Sequence, residues 1–337
     1  MVCVITTYPE CLAVMRDPVT FTVDDPRFST GRIVGESMLS TDGARHRAHR
    51  EPWARFLTSG ATRSHAEKTV SRVCDDLVSD LRQSGSSSAD LRTALTGPLA
   101  VAVMIELLGL AVEPATLLAW YRDIVTGVDA VSAGELPPAV ATEAMRELER
   151  AVTAAALPIP QQSPAALASN AAVVLFGGIE TVDGSIANLF WHLLGDSTTY
   201  RRCLADPQLV PSAIEESFRL EPAASRVDRY ATVTTCVNGI EIAKGALVIV
   251  ALRQANRDPT VFPDPDRFDI DRPERGRHLT FARGPHACIG PHLARLEAIT
   301  AFTAVAEELG ELTLVQSEGP EGKIFRKPAE LVVSWGR

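Results

Sequence analysis

Cysteine is present without a pattern. The six residues (Cys3, Cys11, Cys74, Cys203, Cys236 and Cys288) include no Cys-x-x-Cys pair and keep no regular interval. That scatter excludes a disulfide framework and a structural zinc site, and it fits a reducing, cytoplasmic setting. Positive charge is also short. Against 42 Asp and Glu stand 33 Lys and Arg, a net charge of −9, which argues against nucleic acid as the main partner. The opening MVCVITTYPECLAVMRDP has no basic stretch leading into an apolar one, so no signal peptide is read. The most membrane-like run, GPLAVAVMIELLGLAVEP (97–114), is too short and carries Glu106 in its middle. A soluble protein without a membrane partner is expected, with that run as a core helix.

Repeats and a linker between two cores are absent as well. Residues 1–337 therefore read as one domain, with 46% hydrophobic residues to fill a large core. A short β run, Val2 to Thr6, and a short helix open the chain. From Asp42 the pattern is mostly helical, beginning with DGARHRAHREPWARFL after an Asp-Gly turn. SGSSSAD (84–90) reads as a surface loop, and LPIPQQSP (157–164) as a linker whose last proline opens the longest helix. That helix is apolar almost all round, as expected of one crossing the centre of a domain. TVTTCVNGIEI predicts a hairpin turning at Asn238-Gly239, GALVIVAL a buried strand, and LTLV with ELVVSW a C-terminal β pair. The fold class is mostly α with small β-sheets.

FARGPHACIG (281–290) sets Cys288 among glycines just ahead of the last long helix, PHLARLEAITAFTAVAEEL. Gly284 and Gly290 let the backbone bend close to the sulfur. A helix N-terminus and free N–H groups there are expected to depress the thiol pKa and stabilise an anionic sulfur. On the loop alone, a buried structural cysteine, a Cys–His nucleophile using His286 and a metal ligand all stand open.

Further constellations accompany the loop. GGIET (177–181) puts two glycines inside the longest helix, each costing about 1 kcal/mol relative to alanine. A local opening of the hydrogen-bond ladder beside a ligand accounts for them, with Glu180 and Thr181 as acid and hydroxyl for proton delivery. Close helix packing at the glycines with a surface Glu180 is the plainer reading. AIEESFRLEP holds Glu216 and Arg219 on one helix face. His46 and Arg50 lie four apart on the basic helix, as two donors to one carboxylate or as a solvated face.

Taken in order along the chain, these motifs resemble the cytochrome P-450 superfamily of haem-thiolate monooxygenases. The carriers are Phe281, Gly284, His286, Cys288 and Gly290 with Leu293-Ala294-Arg295, then GGIET, Glu216-x-x-Arg219, His46-x-x-x-Arg50, and the meander ANRDPTVFPDPDRFDIDR (255–272). Ala282 departs from the family's usual glycine. The resemblance implies the P-450 fold, with haem b between the long central helix and the cysteine loop. It makes Cys288 the proximal iron ligand, Thr181 and Glu180 the proton-delivery pair, and Gly177, Phe281 and Gly290 neighbours of the haem. His46, Arg50, Arg229 and His286 become propionate ligands, with His278 a lesser choice. Glu216, Arg219 and Arg272 form a buried structural network, Arg267 being the fallback third member.

By position, Val174, Gly178, Ala223, Ala224, Ser225, Ile324 and Phe325 are expected to line the substrate pocket. Arg226 is expected to meet an anionic substrate group. Arg45, Arg47 and Arg295 are expected to form a basic proximal patch for a ferredoxin-type electron donor. Against the family's outline the given sequence is expected to start at an inner strand, with the usual opening helix and first strand not matched, and to be shortened again before the central helix. The pocket is then expected to be open, or completed by a partner or second subunit. The function implied is insertion of one oxygen atom from dioxygen into a small or medium apolar substrate, in natural-product metabolism. The rival is a haem-poor homologue that activates another enzyme.

Overall fold

The structure, a computed structural model, describes residues 2–160 and 162–336. The chain opens with β1 (Val2–Ile5), α1 (Tyr8–Arg16), β2 (Phe21–Thr22), α2 (Ser29–Val34), α3 (Gly43–Thr58) and α4 (Gly60–Gln83). β3 (Ser88–Asp90) and one π-helical turn, Arg92–Thr96, lead into α5 (Gly97–Leu107), α6 (Pro114–Ser132), α7 (Ala139–Ala154) and the central α8 (Pro164–Gly195). There follow α9 (Ser197–Ala205), α10 (Val210–Leu220), β4 (Val227–Ala231), β5 (Thr235–Val237), β6 (Ile240–Ile242), β7 (Leu247–Val250) and α11 (Leu252–Ala255). After the irregular meander come α12 (Pro291–Glu308), β8 (Leu312–Gln316), β9 (Pro320–Glu321), β10 (Lys327–Pro328) and β11 (Val332–Trp335).

α8 starts where its sequence directs. The Ser163 hydroxyl accepts the Ala166 N–H at 3.2 Å, and Pro164 takes the first turn, where no N–H is needed. Its 32 residues pack against α5, α7, α10 and α12. By length and composition α8 is apolar enough to cross a membrane, but this packing makes it the core helix. One apolar core joins α4, α8, α10 and α12 (Val70, Ile186, Phe218, Phe302), and a second joins α5 to α8 (Leu108, Leu117, Leu148, Leu175).

A four-stranded sheet in the order β1-β7-β4-β2 carries the third core. β1 runs parallel to β7, and β4 antiparallel to it. The Asn238-Gly239 hairpin forms as expected, both residues at positive φ (47° and 80°). One expectation fails. SGSSSAD is not wholly loop, because Ser88–Asp90 pairs with the free edge of β11 and completes a β3-β11-β8 sheet. Backbone pairing to an available edge outweighed a loop-like composition.

Candidate functional site

Between α8, the cysteine loop and the start of α12 lies an apolar cavity of about 350 Å³. Gly177, Gly178, Thr181, Cys288 and Leu293 all face it. Val174, Ala223, Ala224 and Phe325 line it as the sequence led us to expect. Ser225, Ile324 and Arg226 do not. The Ala224–Phe325 bridge fixes the local register, and Ser225 turns away to donate to the Lys323 and Ile324 carbonyls at 3.0 and 2.9 Å. Ile324 is 40% exposed, and Arg226 lies 3.5 Å from Asp228, which occupies the charge expected to meet an anionic substrate.

The loop conformation explains its odd residue. Ala282 sits at φ +52° and Gly284 at φ +77°. A left-handed alanine costs about 1–2 kcal/mol, and the buried Ala282 methyl returns about 0.8 kcal/mol. The alanine therefore leaves a net cost of up to about 1 kcal/mol relative to glycine. Gly284 has no such freedom, since a Cβ there would stand 2.2 Å from the Met15 carbonyl oxygen. The Cys288 N–H donates to the Phe281 carbonyl at 2.8 Å, and the Gly290 N–H points at the Cys288 sulfur at 3.3 Å.

The Cys288 side chain is open to the cavity but surrounded by protein. Burial raises its thiol pKa, and the Gly290 N–H, Arg50 and Arg295 only partly oppose that rise. The expected depression is thus not a property of the thiol by itself.

Beside the loop, the rings of His46 and His286 lie 4.3 Å apart. His46 Nε2 and His286 Nδ1 are buried without a hydrogen-bond partner among the described residues. His46 is held neutral, its pKa pushed down to about 4 by burial and then by His286 and Arg50. Arg50 lines the cavity and donates to the Ala287 carbonyl at 2.6 Å. Arg229 is 5% exposed, donates to the Asp228 carbonyl at 2.7 Å, and is pushed down to about 10 by burial.

Asp42 was not anticipated. It accepts from His286 Nε2 at 2.8 Å, from the Thr22 hydroxyl at 2.6 Å and from the Val23 N–H at 3.0 Å. Burial opposes its ionisation, yet these bonds hold it at about 2. His278 is taken elsewhere, with Nε2 3.2 Å from Glu215.

These buried donors fit a haem. Two imidazole nitrogens lack partners among the described residues, the half-buried Arg50 guanidinium borders an apolar cavity that a sulfur enters, and the buried Arg229 lies near Asp42, which bonds His286. A group with an apolar face and two carboxylates meets each of those needs.

α8 runs through GGIET as unbroken α-helix, so the expected opening of its ladder is absent. The glycines have two separate causes. A Cβ on Gly178 would stand 2.2 Å from Met104 Sδ, whereas Gly177 has nothing within 4 Å and borders the cavity. The Thr181 hydroxyl donates to the Gly177 carbonyl at 2.5 Å. Glu180 points away from the cavity, 2.6 Å from Lys327 Nζ. Lys327 also donates to Asp183 at 2.8 Å, and Asp183 is fixed by Arg92 (2.7 Å) and the Thr96 hydroxyl (2.5 Å). Asp183, a lone charge three residues beyond Glu180 in an apolar helix, was the available signal for this cluster. Lys327 gave none.

The structural network stands as expected. Glu216 receives Arg219 at 2.8 Å on both oxygens and Arg272 Nε at 3.0 Å, all three being nearly inaccessible to solvent. Arg267 contributes only its carbonyl. The basic patch needs correction. Arg45 is ion-paired to Asp24 and Glu36, and Arg295 is bound at two points to Glu215, so of the three only Arg47 stands exposed without an ion pair among the described residues.

Fold and site together define a haem-thiolate oxidoreductase. The profile of the family described as Cytochrome P450 matches residues 160–310. The chain is 31% identical to nocardicin C N-oxygenase of Nocardia uniformis subsp. tsuyamanensis, over 97% of this chain and 90% of that one. It is 32% identical to cytochrome P450 monooxygenase PikC of Streptomyces venezuelae, over 93% and 79%. Its fold matches the crystal structure of P450BioI in complex with an acyl carrier protein ligated to hexadec-9Z-enoic acid. That match has a TM-score of 0.87 at 24% identity, over 98% of this chain and 91% of that one.

The chain belongs to the cytochrome P450 family. It is a monooxygenase whose cofactor is haem b. The nocardicin alignment needs 361 positions for a 337-residue chain, so the relative has stretches that this chain lacks.

Proposed function

We propose that this chain inserts one atom of dioxygen into a small or medium apolar molecule of natural-product metabolism. The other atom leaves as water, formed with two protons and two electrons. The electrons come from NAD(P)H through a separate reductase and a ferredoxin-type donor. The observation that carries the reading is that Cys288 and Thr181 open onto one apolar cavity. The haem supplies the oxygen chemistry when bound. Everything else falls to side chains of this chain.

Cys288 holds the iron through its sulfur, and the Gly290 N–H directs a partial positive charge at that sulfur. His46, Arg50, Arg229 and His286 hold the propionates. Phe281, Gly177 and Gly290 bound the haem where a larger or more polar side chain would intrude. Thr181 moves a proton at Oγ1 by releasing the Gly177 carbonyl, and Glu180, once parted from Lys327, takes up a proton from solvent and relays it to Thr181. Val174, Gly178, Ala223, Ala224 and Phe325 orient the substrate and exclude water.

The donor docks on the face that carries Arg47. A partner or second subunit closes the pocket on the side of α6 and α7, of which no described residue lines the cavity. The activator-protein alternative gains no support, since the relatives above are an oxygenase and a monooxygenase.

Feeding the protein a panel of apolar amines and macrocycles, with a surrogate ferredoxin and reductase under ¹⁸O₂, tests this. One labelled oxygen per product is expected. Product labelled from water, or carrying two labelled atoms, contradicts it.

A further inference from the structure

Arg295 was expected on the surface as a docking charge, and the structure gives it another position. Glu215 grips its guanidinium at two points, 2.5 Å at Nε and 2.9 Å at the second nitrogen, while its third nitrogen donates to the Pro291 carbonyl at 3.0 Å. So held, the guanidinium carbon lies 4.6 Å from the centre of the Phe281 ring. Phe218 meets the same ring edge-on at 5.3 Å, and His278, which also bonds Glu215, approaches it at 5.7 Å. Phe281 faces the cavity, and its carbonyl accepts the Cys288 N–H at 2.8 Å. One charged pair, half withdrawn from solvent, is therefore locked against the ring of the residue whose carbonyl holds the Cys288 N–H.

Burial disfavours ionisation of Glu215, but the bonds from His278 and Arg295 overcome it and hold the carboxyl at about 2. The pair is thus fully charged at neutral pH, while His278, pushed down chiefly by burial, adds no charge. A docking cation needs no such clamp. A cation meant to act on the site behind Phe281 needs one, because a field is fixed only when its source is.

We propose that Arg295 and Glu215 are positioning residues that set the midpoint potential of the iron held by Cys288. Arg295 raises that potential by favouring the electron-rich state, and Glu215 offsets part of the effect. The inference rests on the haem-thiolate reading of the site and adds to it a pair that touches neither substrate nor iron.

The two halves of the pair carry opposite charge, so their removal must move the potential in opposite directions. The test is a spectroelectrochemical titration of the haem-loaded protein. Arg295→Gln is expected to shift the midpoint negative and Glu215→Gln to shift it positive, with the double variant returning toward wild type. Arg295→Lys keeps the charge without the planar contact and is expected to stay near wild type.

Shifts of the same sign in both single variants would overturn the proposal. So would an unmoved midpoint, or a Lys variant that moves as far as Gln, with the thiolate-type carbon monoxide band retained. If the wild-type protein bound no haem or lacked that band, the haem-thiolate reading itself would fail instead, before any variant was compared.

Discussion

Lys327 reaches from the C-terminal segment to the central helix and places its ammonium 2.6 Å from Glu180. The same nitrogen bonds Asp183 at 2.8 Å, so one cation serves two carboxylates that would otherwise repel each other. Lys327→Met leaves Asp183 its Arg92 and Thr96 partners but strips Glu180 of its cation. Both groups of that pair are half-buried, so its loss predicts a cost on the order of 1 kcal/mol in chemical denaturation. Lys327→Arg, which keeps the charge, is expected to recover most of it. An unchanged midpoint in the Met variant would mean that solvent already screens the cluster.

The glycine pair predicts two opposite outcomes one residue apart. Gly178→Ala drives a methyl toward Met104 Sδ at 2.2 Å and is expected to destabilise by about 1–2 kcal/mol, after the flexible methionine yields. Gly177→Ala meets no atom within 4 Å and gains helix propensity, so it is expected to stabilise the haem-free chain by up to about 1 kcal/mol. It should also weaken haem or substrate binding, because the methyl enters the cavity. Thermal melts with and without haem, beside a haem titration, separate the two effects.

Much of this was legible in the residues. The cysteine loop, the hairpin at Asn238-Gly239 and the Glu216–Arg219–Arg272 network follow from local spacing or from a motif tied to its order along the chain. What stayed hidden depends on distant segments meeting. Lys327 carries no local signal that it will lie beside Glu180, and Arg295 counts as a free charge until Glu215 is found against it. Ser225, Arg226 and Ile324 failed as pocket residues for a related reason. The Ala224–Phe325 bridge decides which neighbours face inward, and that register is tertiary.

His192 sets an acid limit on stability. It is buried in α8, 3.0 Å from the Ser217 hydroxyl and stacked on Phe268, and burial pushes its pKa from 6.5 down to about 3. Between those values the unfolded chain binds the proton and the folded chain does not. Stability therefore falls as the pH drops from 6.5 toward 3, by an amount on the order of 4 kcal/mol for this group. Denaturation midpoints between pH 7 and pH 4 should show that slope, and His192→Leu should flatten it even if its midpoint at pH 7 is lower.

The buried network predicts a harsher loss. Arg219 is wholly inaccessible and satisfies the Asn256, Pro265 and Arg267 carbonyls as well as Glu216. Arg219→Leu takes two donors from the buried Glu216 and the side-chain donor from the Asn256 and Pro265 carbonyls, a cost on the order of 3–5 kcal/mol. Haem-loaded soluble protein should be lost from the expressed sample, whereas Arg267→Ala, which keeps the carbonyl, should retain it.

We propose that Cys288 holds the haem iron through its sulfur, and the absorption spectrum of purified protein, reduced under carbon monoxide, with Cys288→His measured beside it, decides that ligation. A strongly red-shifted Soret band of the thiolate-ligated type in the wild type, lost in the histidine variant while haem is kept, is the predicted result. A haem-loaded wild type showing the imidazole-type band, or a band unmoved by the substitution, would contradict it.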